Sequence, residues 1–571
     1  MDNLRADNRF AIVGIGCRMP PGANSLGAFW RFLLKGGNAL KPIKSDRWDW
    51  RQYWDEDPTR PGKTYAPKAG WLDQDLKAFD PLVFGISPRE AASLDPQQRL
   101  LLESAWEAFE DAGMPVERMA GSRTGVFVGG FCLDHLLLRT QPSNLHLIDP
   151  HAAGGVMMTV LSNRLSHAFD LRGPSLTLDT ACSSSLVAVH YACQSLLAGE
   201  CELAIAGGVN AMTRPEYPIV MSKGHFLSHH GECHTFDESA AGYARGEGAG
   251  IFLIKKLERA LADGDGIHAV IRGSGVNQDG HTDGISLPNS DSQVALVREI
   301  YERAEVEPGE VDYVEAHGTG TQAGDPAELG ALNAHFAAGR KSSGKKLLVG
   351  SVKTNVGHLE AAAGVAGMLK AIGALKNRKI PTNLHFKTPN PRIPFDEYQL
   401  EVAAKEVELP GPDEKESLLI GVNSFGYGGT NAHVLLESAP VVTEADDAQP
   451  GEAGGTLMIP FSAQSEPALR DLAGKFAFLL GRKLSGTLAD VAYTAAFRRS
   501  HLGTRCVATA GSVDDLREQL IATSTGESHG SVITGSGSVA GGSGLAFVYT
   551  GMGPQWWAMG RECIEKEPVV S

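Results

Sequence analysis

Short apolar segments alternate with amphipathic ones from residue 9 to about residue 438, and this alternation constrains the fold more than any other feature. Apolar runs of roughly four to eight residues are typical of buried strands, whereas a period of about 3.6 predicts helices, as at Pro96–Ala112 and Asp291–Ala304. The predicted strands form two successive sets: Ala11–Gly16, Gly125–Gly129, Ser175–Thr180, Leu203–Val209 and Gly250–Ile254, then Ala269–Gly273, Val311–Ala316, Leu347–Val352 and Leu418–Asn423. Two sets of βα units indicate a large α/β domain with a diverged internal duplication.

The residues after 438 divide into further segments. Residues 439–455 are rich in Pro, Ala, Glu, Asp and Gly, which predicts a connecting segment. Residues 456–544 are predicted to form a small α/β domain, in which the Gly/Ser-rich stretch Gly526–Gly544 is expected to be mobile. Its predicted elements are the strands Leu457–Ser462 and Cys506–Ala510 and the helices Glu466–Leu480, Leu488–Arg498 and Asp514–Ile521. A predicted strand, Leu545–Thr550, then opens another domain, of which we expect residues 545–571 to be a truncated beginning.

Length and composition exclude several classes of protein. A chain of 571 residues is too long for one ordinary core, which predicts two or more domains. The net charge of −15 disfavours nucleic acid as a partner, and no apolar run approaches the roughly 18 residues of a membrane span. The eight cysteines include no C-x-x-C pair, which disfavours disulfides and zinc and favours a reducing cytoplasm. His225, His229 and His230 lie too close together in polar surroundings to indicate a metal site.

Cys182 lies in the run Asp179–Ser185, where a predicted strand meets a predicted helix. Unpaired N–H groups and the macrodipole at a helix N-terminus favour an anion, so this position is expected to lower the pKa of the thiol and make it a nucleophile. A cysteine between alanine and serine can equally be a small buried residue. The run alone therefore does not decide between these interpretations.

Other motifs at strand ends favour a catalytic site. Glu315–Thr321 contains His317 between small residues, and Lys353–His358 precedes a run of alanines and glycines. Asn423–Asn431 is a glycine-rich turn suited to presenting backbone N–H groups. Each motif alone could be structural. Together they supply a nucleophile, two imidazoles and backbone donors at the edge of a sheet where α/β sites assemble, which indicates acyl transfer.

This set of motifs resembles the β-ketoacyl synthase family, and within it the ketosynthase domain of type I polyketide synthases and animal-type fatty acid synthases. Phe84–Glu90, Asp95–Arg99 and Gly242–Gly248 also match that group. The resemblance covers residues 9–438 and implies a thiolase-like, five-layered αβαβα fold with duplicated halves, usually a homodimer. Residues 456–544 resemble the linker domain between ketosynthase and acyltransferase, and residues 545–571 resemble the start of an acyltransferase domain.

The resemblance also implies a role for each matching residue. Cys182 would carry the growing acyl chain as a thioester, while His317 and His358 would promote decarboxylation of a malonyl-type extender and stabilise its enolate. The backbone N–H groups of Cys182 and Tyr427 would form the oxyanion hole. The remaining implied site residues are Thr319, Thr321 and Phe425 for substrate and phosphopantetheine, and Lys353 with Glu328 as an ion pair that orients the histidines. Many relatives have phenylalanine at the position of Tyr427, which is thought to gate the acyl pocket.

The partners follow from the same resemblance. They are an acyl carrier protein, whose phosphopantetheine carries the acyl and malonyl-type thioesters, and the acyltransferase domain of the same polypeptide. No cofactor, metal, nucleic acid or membrane partner is expected for these residues.

Two other functions stay open at this stage. One is a non-elongating ketosynthase that acts as an acyl-transfer or docking platform. Relatives of this kind usually lack one of the histidines, whereas this chain has both. The other is a thiolase. Thiolases are expected to carry a second catalytic cysteine late in the domain, and no cysteine lies between Cys233 and Cys506 in this chain.

Overall fold

The computed structural model describes residues 8–44, 46–340, 344–440, 455–482, 486–537, 553, 556–561 and 564. The strands are β1 (Phe10–Arg18), β2 (Leu40–Pro42), β3 (Lys68–Gly70), β4 (Thr124–Gly129), β5 (Ser175–Leu178), β6 (Leu203–Asn210), β7 (Gly248–Lys256), β8 (Ala269–Gln278), β9 (Tyr313–Glu315), β10 (Leu347–Gly350), β11 (Lys379–Ile380), β12 (Leu400–Val402), β13 (Val407–Glu408), β14 (Leu419–Phe425), β15 (Thr430–Ser438), β16 (Leu457–Ala463), β17 (Thr504–Ala510) and β18 (Val532–Ser536).

The α-helices are α1 (Leu26–Leu34), α2 (Pro88–Ser93), α3 (Pro96–Asp111), α4 (Asp134–Thr140), α5 (Ala152–Val156), α6 (Val160–Ala168), α7 (Ser184–Leu197), α8 (Glu216–Lys223), α9 (Leu257–Ala262), α10 (Ser290–Ala304), α11 (Gly324–Arg340), α12 (Lys353–Val356), α13 (Ala363–Asn377), α14 (Glu466–Leu480), α15 (Leu488–Phe497) and α16 (Val513–Thr525). None of the helices in the described ranges is both long and apolar enough to cross a lipid bilayer.

Eleven strands of the larger unit form one hydrogen-bonded sheet in the order β12-β10-β9-β14-β15-β8-β1-β7-β6-β4-β5. The order divides into two similar halves that join where β1 pairs with β8. In one half β5, β4 and β6 are parallel, and in the other β12, β10, β9 and β14 are parallel. Each half ends in two antiparallel strands at the junction, β7 and β1 or β15 and β8. The predicted duplication is therefore present in the topology.

Alternate residues of the strands pack against different helices and so build five layers. Residues on one face of both halves pack with α7 and α13 in a shared core, which makes these two helices the central layer. Residues on the opposite face of the first half pack with α3 and α6, and those of the second half pack with α10 and α11. The thiolase-like, five-layered architecture is confirmed.

The smaller unit comprises residues 460–483 and 501–571, of which the described part forms a three-stranded sheet, β16-β17-β18, with α14 and α16 packed together. Residues 484–500, which include α15, belong by their contacts to the larger unit. Arg499 forms an ion pair with Glu110 at 2.9 Å, and the Val116 N–H donates to Ser500 Oγ at 3.0 Å.

Several element boundaries differ from the sequence predictions. The strand predicted at Ser175–Thr180 ends at Leu178 because the next residues turn toward α7. Part of the Gly/Ser-rich stretch predicted to be mobile forms β18, which pairs with β17. The β15 strand was not predicted, because Asn431 and His433 interrupt its apolar pattern. The strand predicted at Leu545–Thr550 and most of the segment 439–455 lie outside the described residues.

Candidate active site

Cys182 lies in a tight 3₁₀ turn between β5 and α7. The turn begins at Ala181, which has a φ of +54°, and Ser184 holds it by accepting from the Thr180 N–H at 2.9 Å and donating to the Ala181 carbonyl at 2.6 Å. The Cys182 carbonyl accepts from Ser424 Oγ at 2.7 Å, which attaches the turn to the end of β14. Cys182 is thereby held at a strand end, and the residue as a whole is half-buried.

The turn after β14 approaches this cysteine closely. A Cβ at Gly426 would lie 2.4 Å from the Thr180 carbonyl oxygen, so only glycine allows the two turns to meet. Backbone N–H groups of Tyr427 and of Cys182 itself lie within hydrogen-bonding range of the thiol and lower its pKa. These are the two N–H groups that the sequence analysis assigned to an oxyanion hole.

His317 and His358 are held by backbone N–H groups. The Phe425 N–H donates to Nδ1 of His317 at 3.2 Å, and the Glu360 N–H donates to Nδ1 of His358 at 2.9 Å. A nitrogen that accepts from an N–H carries no proton itself, so the proton of each neutral ring is on Nε2. The backbone thus determines which nitrogen of each imidazole can donate.

The Nε2 atoms are the free ends of both rings. Nε2 of His358 is buried and has no hydrogen-bond partner among the described residues. The thiol sulfur and one ring nitrogen from each histidine lie within 4.8 Å of one another, and the two ring centroids are 5.4 Å apart at an interplanar angle of 84°. The structure therefore brings together the three side chains that the sequence analysis predicted to be catalytic.

Burial keeps both imidazoles neutral. It lowers the pKa of His317 and of His358 well below the ordinary value of 6.5, and the nearby charge of Lys353 lowers both pKa values further. Neutral rings with protonated Nε2 atoms are hydrogen-bond donors near neutral pH.

The prediction that the cysteine pKa is lowered was wrong. Burial raises the pKa of the Cys182 thiol to about 12, and the negative charge of Glu360 adds to this effect. Lys353 and the nearby N–H groups favour the thiolate, but they do not compensate for the loss of water around it. The resting sulfur is therefore protonated.

The expected ion pair between Lys353 and Glu328 is also not formed. Among the described residues no Lys353–Glu328 contact lies within 4.0 Å, and Glu328 instead accepts from the N–H groups of His317 at 2.7 Å and Gly318 at 2.8 Å. Asn423 Nδ2 donates to the same carboxylate at 2.8 Å. Glu328 therefore holds the His317 backbone directly, because backbone donors lie closer to it than the lysine does.

Thr319, Thr321, Phe425 and Tyr427 line one cavity of about 340 Å³ together with Cys182, His317 and His358. Thr319 and Thr321 face each other across 3.0 Å between their Oγ1 atoms, and the Phe425 ring lies 5.7 Å from that of His317. Tyr427 is 48% exposed, and its ring lies 6.4 Å from that of Phe226. The Tyr427 side chain is thus partly in contact with solvent.

Sequence analysis missed Glu360, which lines the same cavity. Its N–H orients His358, its φ is +50°, and its carboxylate forms a buried bidentate ion pair with Arg245 at 2.6 Å for both contacts. The available signal was a single carboxylate at the start of a run of alanines and glycines, where a charge needs a buried partner.

Comparisons with known proteins agree with this geometry. Residues 7–260 match the model of the β-ketoacyl synthase N-terminal domain, residues 268–387 that of its C-terminal domain, and residues 389–506 that of the ketoacyl-synthetase C-terminal extension. The chain belongs to the β-ketoacyl synthase family.

Relatives of this ketosynthase are polyketide synthases. It is 41% identical over 586 residues to a partially reducing polyketide synthase of Talaromyces stipitatus, and the alignment covers 99% of this chain and 23% of that protein. It is 40% identical over 560 residues to a phenolphthiocerol/phthiocerol polyketide synthase chain of Mycobacterium tuberculosis, and the alignment covers 98% of this chain and 36% of that protein. The chain thus spans between 23% and 36% of the length of these two curated relatives.

Solved ketosynthase structures have the same fold. An oxazolomycin ketosynthase domain of Streptomyces albus is 35% identical, with a TM-score of 0.86, and the match covers 94% of this chain and 91% of that one. The ketosynthase from module 6 of the bacillaene synthase of Bacillus subtilis is also 35% identical, with a TM-score of 0.81, over 92% of this chain and 87% of that one.

Alkylation of Cys182 by iodoacetamide is expected to accelerate about tenfold per pH unit between roughly pH 7 and pH 10, because only the thiolate reacts and its fraction grows tenfold per unit below the pKa. Mass spectrometry of the modified peptide measures the rate, and Cys182→Ala identifies the background from other cysteines. A rate that levels off below about pH 9 would mean that the thiol is already ionised and would contradict this account of its burial.

Proposed function

We propose that this ketosynthase elongates a polyketide chain by decarboxylative Claisen condensation. The observation that supports this reaction best is the pair of imidazoles that keep their proton on Nε2 and each place one ring nitrogen within 4.8 Å of the Cys182 sulfur. This arrangement can accept an acyl group and can then stabilise an enolate in the same cavity.

In the first half-reaction the Cys182 sulfur attacks the thioester carbonyl of an acyl chain on phosphopantetheine. The new S–C bond forms as the bond to the pantetheine sulfur breaks, and the proton of the thiol leaves with the pantetheine thiol. The raised pKa of Cys182 means that this proton moves during the attack rather than before it. The N–H groups of Cys182 and Tyr427 are proposed to bind the carbonyl oxygen as it becomes negative.

In the second half-reaction a malonyl-type thioester loses CO2, and the electrons of the broken C–C bond form an enolate. No base is needed for this step. Two Nε2–H donors suit it, since they can stabilise the enolate oxygen, whereas a ring with Nδ1 occupied and Nε2 protonated cannot remove a proton from carbon. The enolate carbon then attacks the acyl carbonyl, the new C–C bond forms, and the Cys182 sulfur leaves as a thiolate. It takes up a proton from solvent and returns to the thiol form.

The same reasoning separates the competing functions. A thiolase removes a proton from an unactivated acyl thioester and needs a base, which neither histidine offers in this state. A non-elongating platform needs only the acylated cysteine, so a pair of Nε2–H donors from two histidines would have no role in its reaction. The retained pair of histidines therefore favours elongation.

Further parts of the proposal concern binding and partners. Thr319, Thr321 and Phe425 are proposed to contact the phosphopantetheine arm and substrate, which an acyl carrier protein delivers. Residues 456–544 are proposed to form the linker to an acyltransferase domain that begins at 545 and belongs to the same polypeptide. The cytoplasm is the proposed location, supported by the free state of all described cysteines.

A homodimer is also part of the proposal. Among the described residues, β5 pairs only with β4 and is an edge strand of the sheet, so its outer N–H and C=O groups are available to a second strand. Leu176 of this strand is 46% exposed, and Met157, which lies just before the α6 helix that contacts the strand, is 50% exposed. An exposed edge with apolar neighbours suits pairing with the same strand of a second copy.

Incubation with an acyl-pantetheine thioester and a malonyl-type carrier protein tests the reaction, with CO2 release, acylation of Cys182 and β-ketoacyl product measured separately. Cys182→Ala is expected to abolish the product. His317→Ala is expected to slow decarboxylation by about 100-fold or more and acylation much less, because the lost Nε2–H acts on the enolate. The exposed His167→Ala is the matched control and should resemble the parent.

Equal loss of acylation and decarboxylation in His317→Ala would contradict its assigned role. Acylation of Cys182 without any new C–C bond, with carrier proteins that support other ketosynthases, would favour the platform function.

Sedimentation of Leu176→Asp tests the dimer, because a charge on the edge strand opposes pairing with a second copy. This variant is expected to sediment as a monomer, whereas Leu261→Asp, at a similarly exposed leucine in α9, should sediment as the parent does. A parent that is monomeric at micromolar concentration would refute the proposed homodimer.

A further inference from the structure

A second group of possible metal ligands lies outside the catalytic cavity. Glu232 and His234 come from the loop that follows α8, and His385 comes from the segment after β11. One donor atom from each of the three lies within 4.8 Å of the others. The side chains are only 18–20% exposed, so this cluster is partly shielded from water.

His234 presents a lone pair to a carboxylate. The Ser239 hydroxyl donates to Asp237 Oδ1 at 2.5 Å, so Ser239 Oγ can only accept from His234 Nδ1, at 2.6 Å. The neutral ring then has an unprotonated Nε2, and this atom lies 3.4 Å from Glu232 Oε2. Two acceptors that face each other at this distance repel, so either a proton or a metal ion must lie between them.

His385 faces the same carboxylate oxygen. Its Nδ1 lies 3.8 Å from Glu232 Oε2, while Asn38 Nδ2 lies 3.5 Å from its Nε2. The other carboxylate oxygen, Oε1, is held by Lys68 Nζ at 2.9 Å. Glu232 is therefore oriented by the lysine so that Oε2 points to both imidazoles.

We propose that Glu232, His234 and His385 bind one divalent transition-metal ion of the zinc class. Two imidazoles and one carboxylate form a donor set that zinc uses, with water as a further ligand. Ligand distances of about 2.0–2.2 Å around a tetrahedral ion place the donor atoms roughly 3.4 Å apart. The His234–Glu232 contact of 3.4 Å matches this spacing, and the His385–Glu232 contact of 3.8 Å is slightly longer. To bind the ion through Nδ1 the neutral His385 ring changes tautomer, so that its proton moves from Nδ1 to Nε2.

The ion would join two segments that support the catalytic loop. A Cβ at Gly320 would lie 3.0 Å from the backbone nitrogen of His234, and Thr235 Oγ1 donates to the Gly318 carbonyl at 2.8 Å. The loop that carries Glu232 and His234 thus lies directly behind the turn containing Thr319. Because the ion also holds His385, it adds a cross-link between segments that are distant in sequence.

Sequence analysis overlooked this cluster because it weighed only histidines that are neighbours along the chain. Glu232 and His234 are two residues apart, which alone is uninformative, and His385 reaches them only in the folded chain.

Zinc binding to the purified chain, stripped of metal by chelation, tests the proposal. Cys182→Ser serves as the background, because Cys182, His317 and His358 form another cluster that could hold a metal ion. Equilibrium dialysis with elemental analysis is expected to give one zinc per chain, and zinc should raise the thermal unfolding midpoint by several degrees. Glu232→Gln and His385→Gln in this background should lose both effects, while the exposed His229→Gln should keep them.

Cobalt(II) absorption provides a second measurement that does not depend on stability. The proposed site predicts ligand-field bands without a thiolate charge-transfer band, and these bands should be absent in His385→Gln. Zinc that binds the parent but not the Cys182→Ser background would overturn the proposal, as would unchanged zinc stoichiometry in both ligand variants. Neither result would depend on condensation activity.

Discussion

Two backbone hydrogen bonds determine what this active site can do. The N–H groups of Phe425 and Glu360 occupy Nδ1 of His317 and His358, so each ring presents Nε2–H to the cavity. Burial keeps the rings neutral, and neutral donors stabilise a developing oxyanion without exchanging protons. This arrangement explains why a decarboxylating extender suits the site: the carbon nucleophile arises from loss of CO2 and requires no base.

The same burial has an opposite effect on the nucleophile. It raises the pKa of Cys182 because a thiolate loses its water there, and the helix N-terminus does not compensate. The ion pair between Arg245 and Glu360 holds the side chain of the residue whose N–H donates to His358. Charges that are buried near the site therefore serve mainly to hold backbone donors in place.

The sequence was sufficient to predict the fold and to identify Cys182, His317 and His358 as a group that the structure brings together, because strand periodicity and the motifs around these residues are local patterns. It was insufficient wherever distant residues decide the outcome. The Cys182 pKa depends on surrounding burial, the partner of Glu328 depends on which donor lies nearest, and the cluster at His385 forms only in three dimensions. The β15 strand was missed because its polar residues face partners that other strands supply.

Nitrogen-15 NMR of histidine-labelled protein tests the central claim most directly, with His317→Ala and His358→Ala used to assign the signals. Both rings are expected to show a protonated Nε2 and an unprotonated Nδ1, with shifts that stay constant from about pH 8 down to about pH 6, because their pKa values lie well below 6.5. Titration of either ring within that interval, or a proton on Nδ1, would contradict the account.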